Sequence, residues 1–384
     1  MKKLFWIFIA SPVLFSARIW AQETVKDTVF LIPFADTVLL DEVVVKAHKT
    51  IPMNNRWSDL QPVDLVTVAG ANGNLYKALE TLPGTQIQGE SGRLLVRGGS
   101  SDETQTYIDG MHVLNPYTST AENIPARGRY SPFMFSGINL STGGHSQEYG
   151  EALSAVLPLE TKDNSRINKV GISPSTVGIG GGGNHAFRNA SLALNLDYQN
   201  LALYNKVYPG RIDFKKPYQM FSGATQFRYT PSGSSVFKIY VGYDRTDYSN
   251  YTDNNRYLFC LGENNVYLNS TFRTAISGGW EWFSGMAYSL FDRKVDGAVT
   301  EGDHWCEKQA ELHFKTKLSK KFHPTFRMDV GFESFLRWYE TRYSQVSVAD
   351  TKEISPTIEA VFGTVSYYPV ENLKAELSFR TEYA

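Results

Sequence analysis

The sequence predicts a mainly β protein: a small α+β domain followed by antiparallel strands of a transmembrane β-barrel. Three observations carry that prediction. Segments of about ten residues with apolar–polar alternation recur from about residue 168 onward, their connections alternate between short and long, and the first third lacks this pattern. A period of two sets one row of side chains against an apolar medium and the other against water.

Taken in order, Lys2 and Lys3 precede an apolar stretch over residues 4–15, and Ala21 offers a small residue for cleavage. This predicts a secretory signal peptide over 1–21. No later stretch approaches the roughly 20 apolar residues of a membrane helix. Aromatic residues make up 14% of the chain and mean hydropathy is negative, which suits a barrel with a wet interior. The formal net charge of −1, with no basic cluster, gives no sign of nucleic-acid binding.

Residues 22–48 read as a polar leader and 49–162 as a globular segment. Leu75, Ala78, Leu79 and Leu82 have helical spacing, and Pro83-Gly84 ends that helix. Short strands are expected at 94–97 and 106–109, and Asp109-Gly110 is a tight-hairpin signal. A segment of about 110 residues holds one modest core. Placed before a barrel too wide for its own side chains to fill, it is expected to plug the lumen.

Residues 163–384 carry the barrel pattern. Leu312, Phe314 and Leu318 alternate with Glu311, His313, Lys315 and Lys317; Phe326, Met328, Val330 and Phe332 alternate with Arg327, Asp329 and Glu333; Leu373, Ala375, Leu377 and Phe379 alternate with Lys374, Glu376, Ser378 and Arg380. Short turns are expected near 231–234, 275–279, 319–323 and 368–372, and long outer loops near 201–216, 245–265, 293–306 and 339–354. Trp280, Trp282, Trp305 and Trp338 fall near strand ends, where an aromatic girdle lies. Cys260 and Cys306, the only cysteines, fall in expected outer loops. In an oxidising compartment they either pair as one disulfide or remain two free thiols.

Several short strings then converge. Leu82-Pro83-Gly84, Leu94-Leu95-Val96-Arg97-Gly98-Gly99 and Tyr107-Ile108-Asp109-Gly110 are followed by a stretch from Ile138-Asn139-Leu140-Ser141 to Glu160-Thr161-Lys162. In this order the strings resemble the plug motifs of TonB-dependent outer-membrane receptors. Upstream, Asp41, Glu42, Val43, Val44 and Val45 resemble a TonB box of the Bacteroidetes type. The resemblance implies an outer-membrane importer of a scarce, bulky solute, driven by the inner-membrane proton gradient through TonB and its ExbB–ExbD motor. Its β-branched leader would add as a strand to a periplasmic partner. The resemblance also implies a plug–barrel latch at Arg97 and Asp109, with insertion into outer-membrane lipids by the barrel assembly machinery. Ligand contacts are expected at Asn115 and Tyr117 on the plug and at Tyr248, Tyr251 and Tyr257 in an outer loop. Glycan, siderophore, haem, cobalamin and peptide all remain open as cargo. About 18 residues separate the signal from the box-like segment, too few for the extra sandwich domain of large glycan importers, which weakens, without excluding, pairing with a surface glycan-binding lipoprotein.

No cofactor is expected. The glycine run over 178–183 has no helix after it and reads as room for the plug against the wall. The histidines lack metal-ligand spacing, and no nucleophile elbow marks a hydrolase. A passive or adhesive barrel uncoupled from TonB is the alternative. Plugged transporters have 22 strands, which need about 220 residues before any turn is counted. The roughly 220 residues after position 162 show about eleven strands, so about half of such a barrel is expected, the N-terminal part of a longer receptor.

Overall fold

Apolar side chains are buried in two different ways along the chain. The computed structural model describes residues 57–384 apart from 61, 72, 88–90, 120–125, 163–167, 210–212, 252–256, 346–347 and 371–372. The expected signal peptide, the leader and its Asp41, Glu42, Val43, Val44 and Val45 lie outside the described residues.

Up to Thr161 the apolar residues converge on one centre. Helices α1 (Pro62–Thr67) and α2 (Leu75–Leu79) pack with strands β1 (Trp57–Leu60), β2 (Thr85–Ile87), β3 (Leu94–Val96), β4 (Thr104–Ile108), β5 (Met111–His112), β6 (Phe135–Ser141) and β7 (Ala155–Thr161). One sheet has the order β1-β6-β7-β4-β5, antiparallel except where β4 runs parallel to β7. β2 and β3 form a separate antiparallel pair. Leu75, Leu79, Val96, Ile108, Ile138 and Leu157 are fully shielded from solvent and form a single core. Asn74 caps α2, its Oδ1 accepting from the Tyr76 amide at 3.2 Å. Asp109 and Gly110 make the two-residue turn between β4 and β5 with φ of 51° and 84°, the left-handed geometry that favours Asp-Gly.

From Lys169 the chain forms one large antiparallel sheet. Its strands are β8 (Lys169–Ser175), β9 (Gly178–Ala186), β10 (Ala190–Asn200), β11 (Phe214–Ser232), β12 (Ser235–Tyr251), β13 (Leu258–Ile276), β14 (Trp280–Asp296), β15 (His304–His323), β16 (Phe326–Gln345), β17 (Val348–Ile354), β18 (Thr357–Val370) and β19 (Leu373–Tyr383). Each pairs with its sequence neighbour, as hairpins dictate. β17 and β18 both pair with β16, β17 along its upper part and β18 along its lower part. They are one strand interrupted at Ser355-Pro356, where proline supplies no ladder N–H, so the sheet has eleven strand positions.

Side-chain direction follows the alternation. Leu312, Phe314 and Leu318 face outward, whereas Glu311, His313 and Lys315 are buried on the inner face that meets the small domain. Among the described residues no helix is long and apolar enough to cross a membrane; the strands carry the apolar outer surface. Trp280 lies outside with Phe322, and the Lys320 ammonium sits 4.9 Å from both rings at the lower end of the sheet.

Three expectations need correction. The long outer loops are mostly strand: β11 to β16 are 17 to 20 residues long, about twice the ten or so that cross a bilayer. Ladder hydrogen bonds continue past that length toward the outer strand ends. Cys260 and Cys306 therefore sit in β13 and β15, opposite Asp296 and Lys294 of the intervening β14. Two strand spacings, roughly 10 Å, separate them, beyond disulfide reach, and both thiols are free. Trp305 turns inward onto a cluster of Tyr218, Met220, Tyr248, Leu261 and Val295 and is no part of an outer girdle. The glycine run is occupied by strand neighbours and not by the plug. A Cβ at Gly182 would lie 2.7 Å from the Leu194 carbonyl oxygen, and one at Gly183 would lie 2.6 Å from that of Lys169.

Candidate functional site

The chain leaves β5 at His112 and runs along the inner face of the sheet, so backbone and side chains from Val113 to Ser119 meet the wall directly. Asn115 donates from Nδ2 to Gln309 Oε1 at 2.9 Å, and its carbonyl accepts from Asn265 at 3.3 Å. Tyr117 pairs with Gly128 in a β-bridge and packs against Tyr76 with ring centroids 4.3 Å apart. Burial pushes the Tyr117 phenol well above its ordinary pKa. Its oxygen therefore stays protonated, and it accepts a 3.4 Å hydrogen bond from the Leu94 amide.

A cavity of about 500 Å³ opens between this apex and the outer halves of β14, β15 and β16. Gln105, His112 and Asn115 line it from the small domain; Arg293, Gln309 and Arg337 line it from the wall. Arg293 pairs with Glu307. Arg337 pairs with Glu311 of β15 and Glu151 of the small domain. His112 bridges Glu311 at 2.7 Å and Gln105 at 2.8 Å. The volume lies within the range of small-molecule sites.

Beside and below the cavity, ionic contacts join the small domain to the wall. Arg129, buried, pairs with Glu263 and lies 4.0 Å from Asp244. Its Nε donates to the Tyr117 carbonyl at 2.7 Å, so it also fixes the apex loop. Glu263 accepts from the Ser119 amide at 3.2 Å and from its hydroxyl. Glu148 pairs with Lys317 at 2.5 Å, and Lys315 donates to the Glu148 carbonyl at 2.8 Å. Burial pushes the Glu148 carboxyl up, but the Lys317 and Lys315 ammoniums outweigh it and hold its pKa at about 2. Glu151 is likewise held below the usual range, burial being outweighed by the Arg337 guanidinium.

The expected site residues separate on this frame. Asp109 does join the two parts: Lys238 Nζ lies 3.1 Å from its Oδ1, and it also accepts from the Thr161 amide and hydroxyl at 3.0 and 2.6 Å. Arg97 does not. It is exposed in a turn with φ 51°, and among the described residues it forms no ion pair. Its guanidinium lies instead along Gly84 and Gly143. Asn115 and Tyr117 both line the cavity. Tyr248, Tyr251 and Tyr257 do not: Tyr248 is buried 5.5 Å from Tyr218, Tyr251 ends β12 in solvent, and Tyr257 donates to the Val299 carbonyl at 3.2 Å. Sequence reasoning missed Arg129, Glu263, Arg293 and Arg337. For the three on the wall, the only signal was a charge at an inward-facing strand position.

Residues 65–156 match the family described as TonB-dependent Receptor Plug Domain. Solved structures share the architecture. The copper transporter OprC is similar at a TM-score of 0.65 and 12% identity, over 85% of this chain and 55% of that one. The outer membrane transporter YddB from Escherichia coli is similar at 0.64 and 12%, over 86% and 56%. The alcaligin outer membrane receptor FauA from Bordetella pertussis is similar at 0.63 and 10%, over 85% and 54%. At such identities the likeness is one of fold, and the chain spans little more than half the length of these structures. No curated protein matches in sequence.

Proposed function

We propose that this chain, which carries a TonB-dependent receptor plug domain and barrel strands of the outer-membrane receptor fold, belongs to an active importer. It takes a scarce, bulky solute from the cell surface to the periplasm. The observation that carries the reading is the cavity walled jointly by the plug apex and the outer half of the barrel. A solute held there touches the movable part and the fixed part together.

The contacts beneath the cavity support the same reading. Ion pairs and hydrogen bonds, which water can replace when the plug is pulled, stand there beside apolar packing of Tyr130 and Phe135 on Tyr240 and Tyr267. The pull would come through the leader. Val43, Val44 and Val45 suit addition to a sheet edge in TonB, whose ExbB–ExbD motor draws on the proton gradient. The barrel would sit among outer-membrane lipids, placed there by the barrel assembly machinery.

The test is binding of the periplasmic domain of TonB to the purified protein, compared with a Val44→Pro variant. Proline removes the N–H that strand addition needs. Saturable binding lost in V44P supports coupled import; no binding by either protein leaves the passive or adhesive barrel.

A further inference from the structure

The cavity at the plug apex has a charge pattern that selects its occupant. Its three guanidiniums each have a carboxylate partner: Arg93 with Asp102 at 3.6 Å, Arg293 with Glu307, and Arg337 with Glu151. Those three carboxylates are also the acidic groups of the lining, so none is left without a cation. His112 is held at both ring nitrogens, by Glu311 and Gln105. An anionic chelate would have to strip guanidiniums from their partners and leave carboxylates facing its own charge. A cation would meet the same obstacle reversed.

Two of the three aromatic rings in the lining are taken as well, Tyr339 being the third. Phe291 has the Arg129 and Arg293 guanidiniums each 5.8 Å from its ring centre. Tyr117 has Arg93 at 5.7 Å and Tyr76 packed against it. A flat, π-rich ligand such as a catechol chelate or a porphyrin therefore finds little open ring surface. The lining also holds neutral groups: the amides of Gln105, Asn115 and Gln309, bonded to His112, to each other and to Glu307, and the hydroxyls of Thr104, Thr118 and Ser119. Exchanging such bonds for a ligand hydroxyl leaves no charge unpaired. Thr104 Oγ1 on the plug and Arg293 Nε on the wall are buried with no hydrogen-bond partner.

We propose that this cavity takes an uncharged, hydroxyl-rich ligand of short-oligosaccharide size. Planar amides and carboxylate-paired guanidiniums together offer donors and acceptors on neighbouring atoms, which matches adjacent sugar hydroxyls and leaves the charges balanced. The inference rests on the import reading only in treating the cavity as the solute site.

The experiment is titration calorimetry on the purified full chain in detergent, without TonB. The neutral probes are maltotriose, cellotriose, mannotriose and chitotriose; the anionic probes are ferric tris-catecholate and ferric citrate. The expected result is saturable binding of at least one trisaccharide, changed less than about twofold between about 50 and about 500 mM salt. Gln309→Leu, on a barrel strand, should weaken it by about tenfold. Glu307→Gln should leave Arg293 uncompensated and give ferric tris-catecholate an affinity that the unaltered chain lacks. Tighter binding of either chelate than of every trisaccharide by the unaltered chain overturns the proposal, as does binding of neither class. Neither result bears on coupling to TonB, which the V44P comparison reads separately.

Discussion

Arg337 of β16 grips Glu151 of the plug with both terminal nitrogens, Nη1 to Oε1 at 2.9 Å and Nη2 to Oε2 at 2.5 Å, while its Nε donates to Glu311 at 2.6 Å. One planar side chain thereby joins a wall strand, its neighbour and the end of the plug, which lysine, a point charge, cannot do. Arg337→Met should leave Glu311, buried from solvent, with His112 as its remaining ionic partner. The expected loss is about 3 kcal/mol, read as a lower denaturant midpoint. Arg337→Lys should recover roughly half of it by keeping the charge without the fork. Full recovery by lysine would show that the fork adds nothing beyond its charge.

The Arg129–Glu263 pair holds the apex loop against β13. Glu263 accepts two hydrogen bonds from Ser119, and Arg129 holds the Tyr117 carbonyl. Glu263→Gln keeps the shape and removes the charge. Amide exchange at Ser119 should then rise by about tenfold, since charged hydrogen bonds contribute about 1.5–3 kcal/mol, with exchange in β3 and β7 unchanged. Exchange that does not move at Ser119 would remove this pair from the latch.

How much of this was legible depended on distance along the chain. The inward row Glu311, His313 and Lys315 and the outward row Leu312, Phe314 and Leu318 follow from a period of two, which is local. The Asp109-Gly110 turn was equally local. Strand length was not, because polar residues near the outer strand ends read as loop while hydrogen bonding from β12 to β16 continues through them. The latch was legible only in part. Asp109 lies 129 positions from Lys238, and Arg129 lies 134 from Glu263; no spacing rule reaches so far. Arg97 drew attention through its motif, yet its turn, with φ 51°, leaves the side chain in solvent. Asn115 and Tyr117 reached the cavity because both follow the β4–β5 hairpin that aims the chain at the wall.

Cys260 and Cys306 should titrate as two thiols. β14 stands between their strands, and each faces a different residue of it. Protein prepared without reductant should take up two equivalents of a maleimide under denaturing conditions, with unchanged mobility on a non-reducing gel. Uptake of none would place a disulfide where this sheet leaves no room for one.

The plug should stay docked across neutral pH and release only in strong acid. Glu148 and Glu151 both have lowered pKa values in the folded chain, Glu148 at about 2 against an ordinary 4.5. A depressed carboxylate contributes stability that is fully present above its unfolded pKa and is lost as pH falls through the folded one. Protease accessibility of the plug should therefore be flat from about pH 8 to about pH 5 and rise between about 4.5 and about 2. Lys317→Gln removes a principal cause of the Glu148 shift, so its release should begin at higher pH. Release that starts near neutrality in the unaltered chain would show that these carboxylates do not control docking.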